Sequence, residues 1–349
     1  MTDPVLETLL LPIENGALEL ADSDTVLFLR ARMDPALRQL NAGNLICEQS
    51  FAPDRDALER GGYKVVPEAP DAAATGFDVV LALPTRQKQE ARALLARAVR
   101  KAKTGGIVLA CAPNTEGAKT AEADLKALAG LAGNLSKNKC RVFWARISPD
   151  TVNDALVEEW LALDMPRDVL DGDYVSRPGL FAWDRVDAAS KLLADALPAT
   201  LAGKGADFGC GFGYLARTVL TRAPKVIAMD LYEAEKRALD LAQQNLSAFK
   251  GQKAMTCFWA DVTKGVEGPY DFIVSNPPFH QMSKADRSDI GQGFIRAAAG
   301  GLRSGGVFYM VANRHLPYEQ TLKDVFAHVE MIIDEGGYKV IRAIKRKGK

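Results

Sequence analysis

Two short stretches of this 349-residue chain carry residue types that could do chemistry. The first is Asn276-Pro277-Pro278-Phe279-His280, at the end of the apolar run YDFIVS. Proline fixes φ and carries no N–H, so a pair of prolines leaves the carbonyls of Asn276 and Pro277 where the next element cannot reclaim them. With the Asn276 side-chain oxygen, the Pro277 carbonyl would form a rigid pair of acceptors. An exocyclic amine conjugated to a ring is a poor nucleophile because its lone pair is delocalised. Two fixed acceptors can hold its hydrogens and turn the lone pair toward an electrophile. Phe279 offers a face for a base to stack on, worth ~1–3 kcal/mol, whereas aligning two bound reactants can supply ~7–11 kcal/mol of a barrier. Positioning is therefore the larger effect, and Asn276, Pro277 and Phe279 are the candidate catalytic residues. His280 could accept the proton released after transfer, or simply pack behind the site. On chemistry alone the amine could belong to adenine, guanine, cytosine or a glutamine side chain.

The second stretch, DFGCGFGYLA, holds Gly209, Gly211 and Gly213 at a strand-to-helix turn. Missing Cβ atoms let a ligand approach the backbone, and the helix amino end offers free N–H groups. A dinucleotide fingerprint reads G-x-G-x-x-G and faces a pyrophosphate. Here the third glycine comes one residue early, and Asp207 precedes the loop. A carboxylate there would repel phosphate but suit a cationic ligand such as S-adenosylmethionine. Asp230, read as the end of the second strand, is placed to accept the ribose hydroxyls. Asp261, read as the end of the third, could accept from the adenine amino group. Cys210 is read as a small filler of the loop.

These residues need an open α/β sheet to bring them to one edge. From Thr200 onward, short apolar runs alternate with helix-period segments, the pattern of a parallel sheet covered by helices. The chain ends in VEMIIDEGGYKVIRAIK, two β-rich runs joined by Gly336-Gly337, a hairpin signal. Within EAEKRALDLAQQN, read as a helix, Glu233 should pair with Arg237 at i,i+4. The first half repeats this layout: FDVVLALPT aligns with YDFIVSNPP, GGIVLACAPN with GGVFYMVANR, and KCRVFWARI with YKVIRAIKR. Two similar α/β domains follow, with a boundary among the breakers between Asp150 and Pro178. Opposite the three glycines the first half has TVLFLRARMDP, and opposite Asn276-Pro277-Pro278-Phe279 it has Leu83-Pro84-Thr85-Arg86. The amino-terminal copy keeps the scaffold and lacks the site.

Composition narrows the field further. Lys plus Arg and Asp plus Glu total 44 each, so no whole-molecule field drives tight nonspecific binding to nucleic acid or membrane. The five cysteines are dispersed and the histidines number three, which argues against zinc and against a disulfide framework. No apolar run reaches the ~18 residues of a membrane span, and the acidic start MTDPVLETLL does not read as a signal peptide. A reduced, soluble, cytoplasmic protein is expected.

The segments RPGLFAWDRVDAASKLL, DFGCGFGYLA, SNPPFH, VANRHLPY and YKVIRAI, in this order, resemble the ribosomal RNA guanine-N2 methyltransferases, specifically the 16S small-subunit enzymes. The resemblance covers most of the chain. It implies two tandem class I methyltransferase (Rossmann-like) domains, each a mostly parallel seven-stranded sheet with a terminal antiparallel hairpin. Residues 1–165 would be the degenerate copy, supporting the fold or docking RNA, and residues 166–349 the catalytic one. It further implies that S-adenosylmethionine is the cofactor, that Phe181 and Asp187 lie near it together with Asn276, and that no metal takes part. The partner would be ribosomal RNA or the assembling small subunit, met by a monomer or weak homodimer. RNA contacts are expected from Arg86, Lys88, Arg92 and Arg100, on the polar face of a helix, and from Arg314 and His315 after the fifth strand; solvated or packing roles are the alternative. Competing readings are a 23S rRNA guanine-N2 methyltransferase, a protein glutamine methyltransferase and a noncatalytic ribosome-assembly factor.

Overall fold

The computed structural model describes residues 3–69, 76–278 and 284–346. Its chain divides into two compact units, Met1–Pro166 with Arg177–Gly179, and Arg167–Ser176 with Leu180–Lys349. The first contains β1 (Val26–Leu29), β2 (Leu45–Glu48), β3 (Lys64–Val66), β4 (Phe77–Ala82), β5 (Ala102–Pro113), β6 (Gly133–Lys137) and β7 (Cys140–Arg146). They form one seven-stranded sheet in the order β3-β2-β1-β4-β5-β7-β6. The second opens with a small hairpin, β8 (Arg167–Val169) and β9 (Tyr174–Ser176). Its main strands are β10 (Gly203–Phe208), β11 (Val226–Glu233), β12 (Cys257–Trp259), β13 (Tyr270–Ser275), β14 (Leu302–Asn313), β15 (His328–Glu335) and β16 (Tyr338–Ile344). Their order, β12-β11-β10-β13-β14-β16-β15, is the first sheet's order repeated.

The likeness extends to register. In each sheet the first five strands run parallel and the last two form an antiparallel hairpin. The β4–β5 ladder slips between Phe77 and Val79, and the β13–β14 ladder slips between Tyr270 and Phe272. The three sequence pairs aligned above fall on β4 and β13, β5 and β14, and β7 and β16.

Strand character follows position. The central β1 and β13 are buried almost throughout, as their continuous apolar runs require when helices cover both faces. The edge strand β15 is largely exposed and carries Glu330, Asp334 and Glu335. Gly336 and Gly337, with φ of 60° and 83°, make the turn to β16. On one face of the second sheet Leu193, Leu215, Val219 and Leu239 pack against Val274 and Val311. On the other, Ile295, Phe308 and Tyr318 pack against Phe208 and Tyr270. Each fully buried side chain of this size contributes about 1.5–3 kcal/mol.

Two local expectations are corrected. Strand β11 continues to Glu233, and the helix starts only at Lys236. Arg237 therefore pairs with Glu235, at 2.9 Å, instead of Glu233. Strand β12 stops at Trp259, and Asp261 instead caps a short turn, accepting from the Thr263 N–H and Oγ1 at 2.9 and 2.7 Å. Among the described residues, no helix is long and apolar enough to cross a membrane, and no group of three or more His, Cys, Asp or Glu could hold a metal.

Candidate active site

Beyond β10 the chain turns through Gly209, Gly211 and Gly213, with φ of 72°, 54° and 96°. All three lie in the left-handed region, which costs an L-residue roughly 1–2 kcal/mol. The glycines then divide their work. A Cβ on Gly211 would meet nothing within 4 Å, so its absence leaves room for a ligand. A Cβ on Gly213 would sit 3.3 Å from Ala242, so its absence lets two helices close up. Asn245 holds the far side of the loop: its Nδ2 donates to the Phe212 and Val175 carbonyls at 2.8 and 2.9 Å, and its Oδ1 accepts from the Val175 N–H at 2.7 Å.

Two carboxyl groups lie beneath the loop, Asp207 fully buried and Glu233 half-buried. Asp207 accepts from the Ala216 N–H at 3.0 Å through Oδ2, while its buried Oδ1 has no partner. Burial pushes its carboxyl up to about 8; the Ala216 N–H opposes this and the Glu233 charge adds to it. Glu233, at the tip of β11, accepts from the Gly211 N–H at 2.8 Å and from the Glu235 N–H at 2.9 Å. Its carboxyl is also raised, chiefly by burial.

Asp230 is not at that tip. It sits within β11, 2% exposed, accepting from Tyr270 Oη at 2.8 Å and pairing with Lys204 Nζ at 2.7 Å. Tyr270 in turn bonds Tyr232 through their hydroxyls at 2.9 Å. This network closes on itself, so the reading of Asp230 as the ribose acceptor is corrected. The strand runs three residues further than its apolar pattern suggests, and the carboxylate beside the loop is Glu233.

The first unit contains an internal control. Ladder partners Leu29 and Glu48 match Phe208 and Tyr232, so Gln49 stands where Glu233 does. Gln49 Oε1 accepts from the Phe51 N–H at 2.9 Å, as Glu233 accepts from Glu235. Its Nε2, however, donates to the Ala31 carbonyl at 2.6 Å, where Glu233 accepts from the loop. Arg30 keeps a positive φ of 59° at the position of Gly209, and its side chain pairs with Glu90 at 3.2 Å. Buried Leu83 replaces Asn276.

A cleft partly open to solvent lies against the glycine loop. Phe181, Asp187, Ser190, Gly209, Gly211 and Asn276 are among its lining residues. Phe181 is 49% exposed at its rim. Gly213, Asp207, Asp230, Glu233 and Asp261 lie outside the lining. Asn276 donates through Nδ2 to Asp187 Oδ2 at 3.0 Å and to Ser190 Oγ at 2.8 Å, whereas its Oδ1 is buried and has no partner. Pro277 is buried next to it. Phe279 and His280 fall outside the described residues.

The proposed RNA contacts fare unevenly. The helix Lys88–Lys101 buries Ala91, Leu94, Leu95, Ala98 and Val99 as its periodicity predicts. Its cations are largely committed within the first unit. Arg92 bonds Asp124 at 3.1 Å and lies 4.4 Å over the Trp160 ring, and Arg100 pairs with Glu158. Arg92 is thereby given a structural role, while Arg100 stays exposed. Arg86 is exposed with Glu116 3.5 Å away, and Lys88 is exposed. Arg314 pairs with Asp334 at 2.5 Å while His315 is exposed.

A glycine cradle open at Gly211, the Glu233 carboxyl bonded to its N–H and an unpaired amide oxygen on the cleft wall suit a nucleoside, and suit a pyrophosphate poorly. The methyltransferase small domain matches residues 171–342. The Klebsiella pneumoniae ribosomal RNA small subunit methyltransferase C is 30% identical over 289 residues, covering 81% of this chain and 79% of that protein. Its Escherichia coli K12 counterpart is 30% identical over 317 residues, covering 90% and 88%. The chain belongs to the ribosomal RNA small subunit methyltransferase C family. It is an S-adenosylmethionine-dependent rRNA methyltransferase. A T. thermophilus 16S rRNA guanine-N2 methyltransferase, solved with S-adenosylmethionine and guanosine, has the same fold, with a TM-score of 0.77 at 23% identity over 99% of this chain and 92% of that one.

Two residues of this family member's site escaped the sequence reading. Glu233 could have been found by pairing the second strands of the two halves, which puts Gln49 opposite it. Ser190 is signalled by Asp187-Ala188-Ala189-Ser190, an N-cap followed three residues later by the residue whose N–H it receives.

Proposed function

We propose that the protein transfers a methyl group from S-adenosylmethionine to the exocyclic N2 amine of a guanine in 16S ribosomal RNA during small-subunit assembly. The observation that carries this reading is the buried, unpartnered Asn276 Oδ1 on the cleft wall beside the glycine loop. The bound donor supplies an electrophilic methyl on sulfur. Asn276 Oδ1 and the Pro277 carbonyl accept the two amine hydrogens and turn the nitrogen lone pair toward that methyl. As the nitrogen takes the methyl, the carbon–sulfur bond breaks and the donor leaves as a neutral thioether. The alkylated amine, now acidic, gives its proton to solvent, so no general base is required for the attack. Gly209 and Gly211 admit the donor against the backbone, Glu233 accepts from its ribose, and Asp261 from its adenine. Phe181 covers it at the rim. The name of the T. thermophilus neighbour and the guanosine solved with it favour guanine N2 over the other amines.

In this reading the first unit binds no donor: Gln49 and Leu83 have replaced the acceptors, and the unit supports the fold or docks RNA. The protein would work in the cytoplasm, as a monomer or weak homodimer. Mapping of modified bases in rRNA from cells lacking it is expected to show loss of one N2-methylguanosine from 16S rRNA. Loss confined to 23S rRNA, or to a protein glutamine, would overturn the assignment.

A further inference from the structure

We infer that Asp187 and Ser190 are positioning residues that fix which end of the Asn276 amide faces the substrate. The inference rests on the reading of Asn276 as the amine's acceptor. An asparagine amide has nearly the same shape after a 180° flip, so something must decide which atom it presents. If the nitrogen faced the cleft, its hydrogens would confront those of the amine, donor against donor.

The deciding group is Asp187. An ionised carboxylate only accepts, so the end of the amide that meets Asp187 Oδ2 at 3.0 Å must be Nδ2. Ser190 Oγ accepts from the same nitrogen at 2.8 Å, which uses both of its hydrogens. Oδ1 is then left toward the cleft, buried and unpaired. The clamp is itself held rigid. Asp187 caps the helix Ala188–Ala196 by accepting from the Ser190 N–H at 2.9 Å, so one carboxylate ties the helix start, the serine and the amide together. A pre-organised acceptor avoids reorienting during the reaction.

The test uses Asp187→Asn, Ser190→Ala and Asn276→Ala in the full chain, with small-subunit particles as substrate. Asp187 Oδ2 accepts from both the Ser190 N–H and Asn276 Nδ2, so the cap and the lock share one atom. In Asp187→Asn, an amide that turns its NH2 toward residue 276 releases the lock and gives up the cap with it. Single-turnover transfer is expected to slow roughly 10- to 100-fold, as when an outer partner that orients a reacting group is lost. Donor affinity should stay near wild type, while the melting temperature falls by the lost cap. Ser190→Ala keeps the backbone N–H and with it the cap. It should slow transfer by a smaller factor at near wild-type melting temperature, which a purely structural role would not allow. It also supplies the answer should Asp187→Asn fold poorly. The decisive arm is the double variant: on an Asn276→Ala background, Asp187→Asn should cost nothing further. Wild-type rates in both single clamp variants, with Asn276→Ala impaired, would overturn the positioning role and leave the acceptor reading intact. An undiminished loss in the double variant would also overturn it. A wild-type rate for Asn276→Ala itself would remove the acceptor reading and the clamp together.

Discussion

Replacing Glu233 by glutamine changes one atom of a half-buried carboxylate and should cripple donor binding. Glu233 accepts on both oxygens, from the Gly211 N–H at 2.8 Å and the Glu235 N–H at 2.9 Å. An amide accepts on one side only. If its oxygen keeps Glu235, its NH2 faces the Gly211 N–H, and the loop must move. The first unit shows the result, since Gln49 keeps the bond to Phe51 and donates to the loop carbonyl of Ala31. A hydrogen bond to a charged group is worth about 1.5–3 kcal/mol, which corresponds to roughly a 10- to 150-fold loss of donor affinity. Calorimetric titration of the purified protein with S-adenosylmethionine measures this directly. Asp230→Asn is the control: it breaks the network with Lys204 and Tyr270 and should lower stability, while donor affinity stays within about threefold. Weak binding by Asp230→Asn with normal binding by Glu233→Gln would refute the assignment of the two carboxylates.

Asp207 predicts a pH dependence of stability. Its carboxyl is raised to about 8 when folded and returns to the ordinary ~3.9 when unfolded. Between those values the folded state keeps a proton that the unfolded chain has released, so stability falls as pH rises, by up to ~1.4 kcal/mol per unit. Donor-free Asp207→Asn should therefore gain steadily on wild type in urea denaturation from pH 5 to 8, and parallel curves would contradict this. Gly213→Ala, at φ 96° and 3.3 Å from Ala242, should lower stability by at least about 1–2 kcal/mol. Gly211→Ala, with open space beyond it, should instead show its larger effect on donor affinity by calorimetry. Arg92→Ala leaves Asp124, with a side chain 9% exposed, without its cation. It should cost roughly 2–3 kcal/mol, below the range for a fully buried pair because Arg92 is partly exposed. RNA affinity in filter binding should not change.

Much of the fold was legible because its signals are local or repeated. The continuous apolar runs of β4 and β13, the Gly336-Gly337 turn and the pairing of segments between the halves each depend on few residues. The site was legible where backbone chemistry dictates residue type, as with the three glycines and the two prolines. What escaped depends on register and on partners distant in sequence. Strand β11 reaches Glu233 because it pairs with β12 through Trp259, a contact no apolar pattern announces. The basic helix looked like a phosphate-binding face because Asp124, Trp160 and Glu158 come from other helices. The amide of Asn276 is aimed by residues 86 and 89 positions away.

Single-turnover transfer at saturating S-adenosylmethionine, comparing wild type with Asn276→Ala on small-subunit particles, goes straight to the unpaired oxygen in the cleft. Deleting a pre-organised hydrogen-bonding group costs about 10²–10³-fold in rate, and a loss of that size, with donor affinity within about threefold of wild type, is expected. Transfer at the wild-type rate would mean that the amine is held by something other than Asn276.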